Sequence, residues 1–283
     1  METTKELREL LQSEKINPVG WKRPWGYKTL QRGPSIYLTR LVIQYNLLPN
    51  QITLAGIAAG AVGSFLVFGG NSFGMVVGTF LLYLNILADK VDGEVARYRI
   101  HKGLGGVHLR GVYLDELNHL VIPGMFLASV MLGIGRTFPY TTSFLEIMGS
   151  AAALSIVFIR AWHGLPMQIL LKKYLKHPQN FAPLGNEKPE AKIEKIKAKS
   201  GIVRELIKIL NHLQDFLLIV LLFFLAFLAE AIFPVLRPHL ASGLLLVAFG
   251  VALPLIALKN FVKGFYEVEA RIKELEETIR KGL

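Results

Sequence analysis

The sequence predicts an all-α membrane protein, with six transmembrane helices and an N-terminal interfacial amphipathic helix. Apolar residues make up 52% of the 283-residue chain, and they fall in long blocks separated by short polar stretches. Roughly 20 apolar residues cross a hydrocarbon core as a helix, and only helices or closed barrels satisfy their backbone there. The 32 Lys and Arg residues gather between alternate blocks. With no cysteine in the chain, a disulfide framework is excluded.

The elements follow in order. Residues 3–15 place leucines and charges at helical spacing and read as a surface helix. Residues 17–34 hold three prolines, three glycines and two tryptophans beside Lys22, Arg23, Lys28 and Arg32, as an irregular interfacial segment would. Residues 35–47, SIYLTRLVIQYNL, read as a short amphipathic helix lying in the interface. Spans are expected near 51–69, 73–95, 112–134, 144–171, 203–233 and 240–258. The turn Gly69-Gly70-Asn71-Ser72 makes a hairpin of the first two. Residues 172–200, rich in lysine, read as an extramembrane loop, and 259–283 as a charged surface helix.

Three regions result: an N-terminal cytoplasmic and interfacial segment (1–50), a six-helix transmembrane catalytic domain (51–260) and a C-terminal cytoplasmic helix (261–283). The net charge of +11 suits an anionic partner. Its placement between apolar blocks points to the membrane surface rather than to nucleic acid. With six spans, every Lys and Arg except Arg136 and Arg237 falls on the side of the termini. The positive-inside rule then places both termini and the functional site in the cytoplasm. The polar N-terminus, METTKELRELLQSEK, lacks the apolar run of a signal peptide.

The chemistry gathers where the second span ends and the third begins. Asp89 and Asp92 are three residues apart, and Asp115 and His119 four apart, so each pair shares a helix face. A hairpin connection would bring the two faces together near the cytoplasmic interface. Clustered carboxylates in a membrane are costly unless a cation neutralises them. Oxygen-rich sets suit Mg²⁺, Ca²⁺ or Mn²⁺, and Mg²⁺ commonly shares its shell with substrate phosphates. Gly93 leaves room for a substrate beside the helix backbone.

These residues resemble the signature of the CDP-alcohol phosphotransferases, Asp-x2-Asp-Gly-x2-Ala-Arg, a short loop, then Gly-x3-Asp-x3-Asp. Asp89, Asp92, Gly93, Ala96, Arg97, Gly111 and Asp115 match it in type and local spacing. Leu48-Pro49-Asn50-Gln51-Ile52-Thr53-Leu54 is similar to what precedes the family's first span. The chain departs from the pattern twice. The connecting segment between Arg97 and Gly111 is 13 residues, longer than is usual, and His119 stands where the fourth carboxylate belongs.

The resemblance implies transfer of a substituted phosphate from a CDP-linked donor to an alcohol, at least one of them a lipid, with release of CMP. It places this in phospholipid or related polar-lipid synthesis and implies a homodimer. It also implies Mg²⁺ or Mn²⁺ on Asp89, Asp92, Asp115 and His119, with Asp115 and His119 catalytic. His119 could serve as general base or as ligand, since a neutral imidazole does either. Gly93, Ala96, Arg97 and Gly111 would meet the nucleotide and its phosphates, with Arg110 beside them. Arg160, an arginine inside an apolar run, needs an anion, and a substrate phosphate would serve. His163, His212 and Asp215 could help shape an acceptor pocket, although each also suits an interfacial anchor. Two other readings compete: a scaffold that keeps the fold without transferase activity, and an Asp-motif membrane prenyltransferase. The latter calls for a second Asp-rich motif, and residues 150–283 contain Asp215 alone.

Overall fold

A computed structural model describes residues 2–16, 26–104, 109–136, 142–176, 212–233 and 239–282. They are all-helical. In chain order the α-helices are α1 (Thr4–Ile16), α2 (Gly33–Gln44), α3 (Pro49–Phe68), α4 (Ser72–His101), α5 (Leu109–Gly135), α6 (Thr142–Lys176), α7 (Phe216–Ile232) and α8 (Leu240–Gly282), with a π-helical turn (Tyr27–Arg32) before α2. Expectations for 17–25, for 177–211 and so for the start of the span at 203–233 lie outside the described residues.

Among the described residues, five helices are long and apolar enough to cross a membrane: Pro49–Phe68, Ser72–His101, Arg110–Gly135, Ser143–Trp162 and Leu240–Gly264. Helix α7 is apolar but has 17 described residues, about 26 Å at the usual rise. The chain is therefore helical and built for a membrane.

Local chemistry sets the helix ends. Pro49 opens α3, where its missing N–H costs nothing, and Leu48 N donates to Gln51 Oε1 at 2.9 Å. Asn71 Oδ1 caps α4 by accepting from Gly74 N at 2.6 Å. Between them Gly70 turns the chain at φ +76°. The hairpin closes tightly because glycines face each other. A Cβ on Gly63 would sit 2.5 Å from the Gly78 carbonyl oxygen, so small residues let the backbones touch, as membrane helix pairs commonly require.

Boundaries differ from expectation in several places, and residues 172–176, read from sequence as loop, continue α6. Residues 96–101, read from sequence as loop, continue α4, which ends only where Gly103 adopts φ +68°. Nothing between Gly93 and Gly103 breaks a helix, so the chain keeps winding. Likewise the last span and the C-terminal charged helix are one helix, α8, which runs on through Pro254.

The helices share one core. Phe126 of α5 meets Phe223 of α7 edge-on at 5.6 Å, and Phe223 stacks on Phe249 of α8 at 5.8 Å. Leu82, Ile122 and Ile156 fill in around them, fully buried or nearly so. Far from the acidic motif, Glu230 near the end of α7 accepts from Ser242 N at 2.8 Å and so caps the start of α8. The core thus fixes α4 and α5, the two helices that carry the motif.

The N-terminal segment packs against the motif end of α4. Leu7 and Leu11 of α1 join Ile36 of α2 in a small buried cluster with Tyr98. Buried Glu94 is the anchor. Its Oε1 accepts from Arg32 Nη1 at 2.7 Å, Ser35 Oγ at 2.8 Å and Gln12 Nε2 at 2.9 Å, and its Oε2 from Thr39 Oγ1 at 2.6 Å. Burial alone would lower the Arg32 guanidinium, but bonds to Glu94 and Tyr27 hold it above its ordinary value.

Candidate metal centre and cleft

Asp89 lies on α4, and Asp115 and His119 lie one turn apart on α5. One ligand atom from each falls within 4.8 Å of the others. His119 Nε2 is 3.4 Å from Asp89 Oδ1 and 3.5 Å from Asp115 Oδ1. Lys90 Nζ also pairs with Asp89, through Oδ2.

The donor set fits a divalent cation. Two carboxylate oxygens and an imidazole nitrogen converge, and such mixed sets suit Mn²⁺ as well as Mg²⁺. Asp115 Oδ1 is shut off from solvent and has no hydrogen-bond partner, only the approach of His119. A buried carboxylate oxygen in that position calls for a positive partner.

Asp92 is not brought into this trio. It is buried, and its Oδ2 accepts from Thr53 Oγ1 at 2.5 Å. Thr53 belongs to α3, within the Leu48–Leu54 stretch noted in the sequence. That stretch thus secures the second motif aspartate.

The expected nucleotide residues divide. Gly93 is half-buried, and a Cβ there would meet only Arg97 Nη1, at an ordinary 3.5 Å. Packing does not demand this glycine, although glycine costs a helix interior about 1 kcal/mol. Gly111 is tight: a Cβ would lie 2.6 Å from Asn50 Oδ1. Arg97 turns toward the N-terminal helix, where its Nε donates to Leu11 O at 3.0 Å, while its Nη2 is buried without a partner. Ala96 is half-buried one position before it, and Arg110 is exposed at the start of α5.

A cleft enclosing about 690 Å³, part of it open to solvent, runs from this centre into the helix bundle. Asp89, Lys90 and His119 stand on its lining, and so do Arg160 of α6 and Asp215 at the start of α7. Arg160 Nε is buried and unpartnered. Asp115, Asp92, Arg97, Ala96, Gly93, Gly111 and Arg110 do not line this cleft. His212 is exposed, and the side chain of His163 lies outside the described residues.

Several contributors carried no sequence signal of their own. Asn85 Nδ2 donates to Gly56 O at 2.9 Å and to Asn118 Oδ1 at 2.8 Å, and both asparagines line the cleft. Buried asparagines at 85 and 118 inside apolar blocks were the available hint. Pro123, also on the lining, has no N–H to give the carbonyl of His119 four residues back. Tyr27 and Gln31 come from the π-helical turn, in a stretch the sequence marked only as irregular.

Comparison with protein-family models and with curated proteins gives no match. The function is therefore read from the residues themselves.

Proposed function

We propose that this protein is a metal-dependent transferase of the CDP-alcohol phosphotransferase type, acting at the membrane. It would move a substituted phosphate from a CDP-linked donor to an alcohol, in phospholipid or related polar-lipid synthesis. The observation that carries this is the convergence of Asp89, Asp115 and His119 beside a cleft that Asp89 and His119 line together with Arg160, whose buried Nε has no hydrogen-bond partner. A carboxylate oxygen of this group and a guanidinium nitrogen on the cleft are both buried without a hydrogen-bond partner, and buried polar groups ordinarily have one. Ionisable groups inside membrane segments are functional by default.

In this reading Asp89 and Asp115 would hold Mg²⁺ or Mn²⁺, with His119 as either a third ligand or the general base and Asp92 secured alongside by Thr53. The cation would offset charge on the donor pyrophosphate and on the departing CMP. The acceptor oxygen forms a bond to the phosphorus that bears the donor alcohol. The bond from that phosphorus to the bridging oxygen breaks, and the bridging oxygen leaves with CMP. As general base, His119 would take the acceptor's proton. Arg160 would anchor an anionic group of the substrate in the cleft, and the open side of Gly93 would admit the nucleotide. In that reading Arg97, Ala96, Gly111 and Arg110 would stand near that approach.

Six spans, with α7 completing the set, both termini and the site in the cytoplasm, and a homodimer complete the proposal. The positive-inside count supports that orientation.

The test is CMP release from a panel of CDP-alcohols with Mg²⁺ or Mn²⁺. Turnover should vanish with chelator, in Asp115→Asn and in His119→Ala. Full activity in His119→Ala would remove the proposed base. His119→Asp separates an adapted histidine, which loses activity, from a degraded site, which gains it. Metal-dependent CMP binding without turnover on any donor would favour the scaffold reading.

A further inference from the structure

Part of the cleft wall comes from outside the membrane-spanning helices. Tyr27 and Gln31 reach it from the π-helical turn of the N-terminal segment. Gln31 is 4% exposed. Its carboxamide makes no hydrogen bond among the described residues, yet neither its oxygen nor its nitrogen is sealed from open space. Buried amides are almost always bonded. Since Gln31 lies on the lining, the cleft is where a partner can reach it.

The turn that presents Gln31 is held from several sides. Tyr83 Oη donates to Leu30 O at 2.7 Å, and Gln12 Nε2 donates to Arg32 O at 2.8 Å. Arg32 donates from Nε to Tyr27 Oη at 2.9 Å and from Nη1 to Glu94. The residues on both sides of Gln31 are thus fixed, so its side chain is pre-organised for a ligand. Turns of π type recur at functional sites. A second amide stands on the same lining: Asn118 uses its Oδ1 to accept from Asn85, and its NH₂ is not sealed off.

A carboxamide both gives and accepts hydrogen bonds, and its natural complement is a hydroxyl, which does the same. We propose that Gln31 is a specificity-determining residue that reads free hydroxyl groups of the acceptor, so that the cleft selects a polyhydroxylated acceptor over a simple alcohol. This rests on the reading of the cleft as the acceptor site. The N-terminal segment is then a working wall of the site as well as an interfacial anchor.

Two probes isolate the effect. Glycerol 3-phosphate and ethyl phosphate share a phosphate monoester, and only the first carries free hydroxyls. Their affinities are measured by calorimetry on the full chain in detergent, with CMP release followed in the same preparations. The native chain should favour glycerol 3-phosphate by about tenfold, the worth of one or two hydrogen bonds. In Gln31→Leu the ratio should fall to near one while ethyl phosphate binding is kept. Equal affinities in the native chain, or an unchanged ratio in Gln31→Leu, would overturn the proposal.

Because the chain has no cysteine, Gln31→Cys gives a single thiol should the leucine variant fold poorly. Glycerol 3-phosphate should slow its alkylation by a small maleimide more than ethyl phosphate does, and an unreactive or unprotected thiol would count against the assignment. Hydroxyl preference without CMP release from any donor would sink the transferase and leave Gln31 standing. CMP release with an unchanged Gln31→Leu ratio would do the reverse.

Discussion

Helix α4 carries two acidic centres only five residues apart, one around Glu94 and one around Asp89. Five residues subtend about 140° on a helix, so they face different neighbours. Glu94 is wholly buried, and four donors from α1, the π-helical turn and α2 satisfy both its oxygens. Asp89 meets an imidazole and a lysine, and its neighbour Asp115 keeps a buried oxygen without a hydrogen bond. The first carboxylate is closed off and satisfied, because it meets one guanidinium and neutral hydroxyl and amide donors. The second centre keeps a carboxylate oxygen without a hydrogen bond, and its Asp89 and His119 open on a cleft. Equal residue type therefore says little about role. Satisfaction of the oxygens separates a carboxylate that holds the fold from one that awaits a ligand.

The sharpest way to break this comparison is to remove Glu94. Glu94→Ala leaves the Arg32 guanidinium buried without its counter-charge, and a broken buried pair typically costs about 3–5 kcal/mol. A thermal melt in detergent should show a severe loss. A mild one would mean that the closed centre is not structural.

A smaller effect is expected from Thr39→Val, which deletes one donor to Glu94 and keeps the shape. Hydrogen bonds to charged groups are worth about 1.5–3 kcal/mol. The loss should appear in stability, with the metal response unchanged. Should metal-induced stabilisation change instead, the two centres would be coupled.

The least change in folding stability belongs to the open centre. Asp115→Asn removes a negative charge beside another, so stability without metal should hold or rise by up to about 1 kcal/mol. The stabilisation that Mn²⁺ gives the native chain should disappear. A large drop in metal-free stability would place Asp115 with Glu94 as a structural group.

How much was legible in advance follows from which physics each feature obeys. Helical class and the approximate spans follow from apolar runs, a property of consecutive residues. Asp89, Asp115 and His119 were legible because helical spacing and a hairpin connection suffice to converge them. The exclusion of Asp92 from that trio was not, since it depends on Thr53 arriving from α3. Arg97 matched the motif, yet its guanidinium turns to the carbonyl of Leu11, 86 positions earlier in the chain. Glu94 lies inside the motif, and only the arrival of Gln12, Arg32, Ser35 and Thr39 made it the hub of the N-terminal segment.

By itself, then, the sequence determined that this chain winds into membrane-crossing helices and that Asp89 on one helix faces Asp115 and His119 on the next. Those facts are set by hydrophobic runs and by the 3.6-residue period, which act locally. The tertiary structure alone decided which carboxylates are sealed and which stay open, and that a turn before the first span supplies part of the cleft wall. These depend on groups far apart in sequence reaching hydrogen-bond distance, and no local pattern records that.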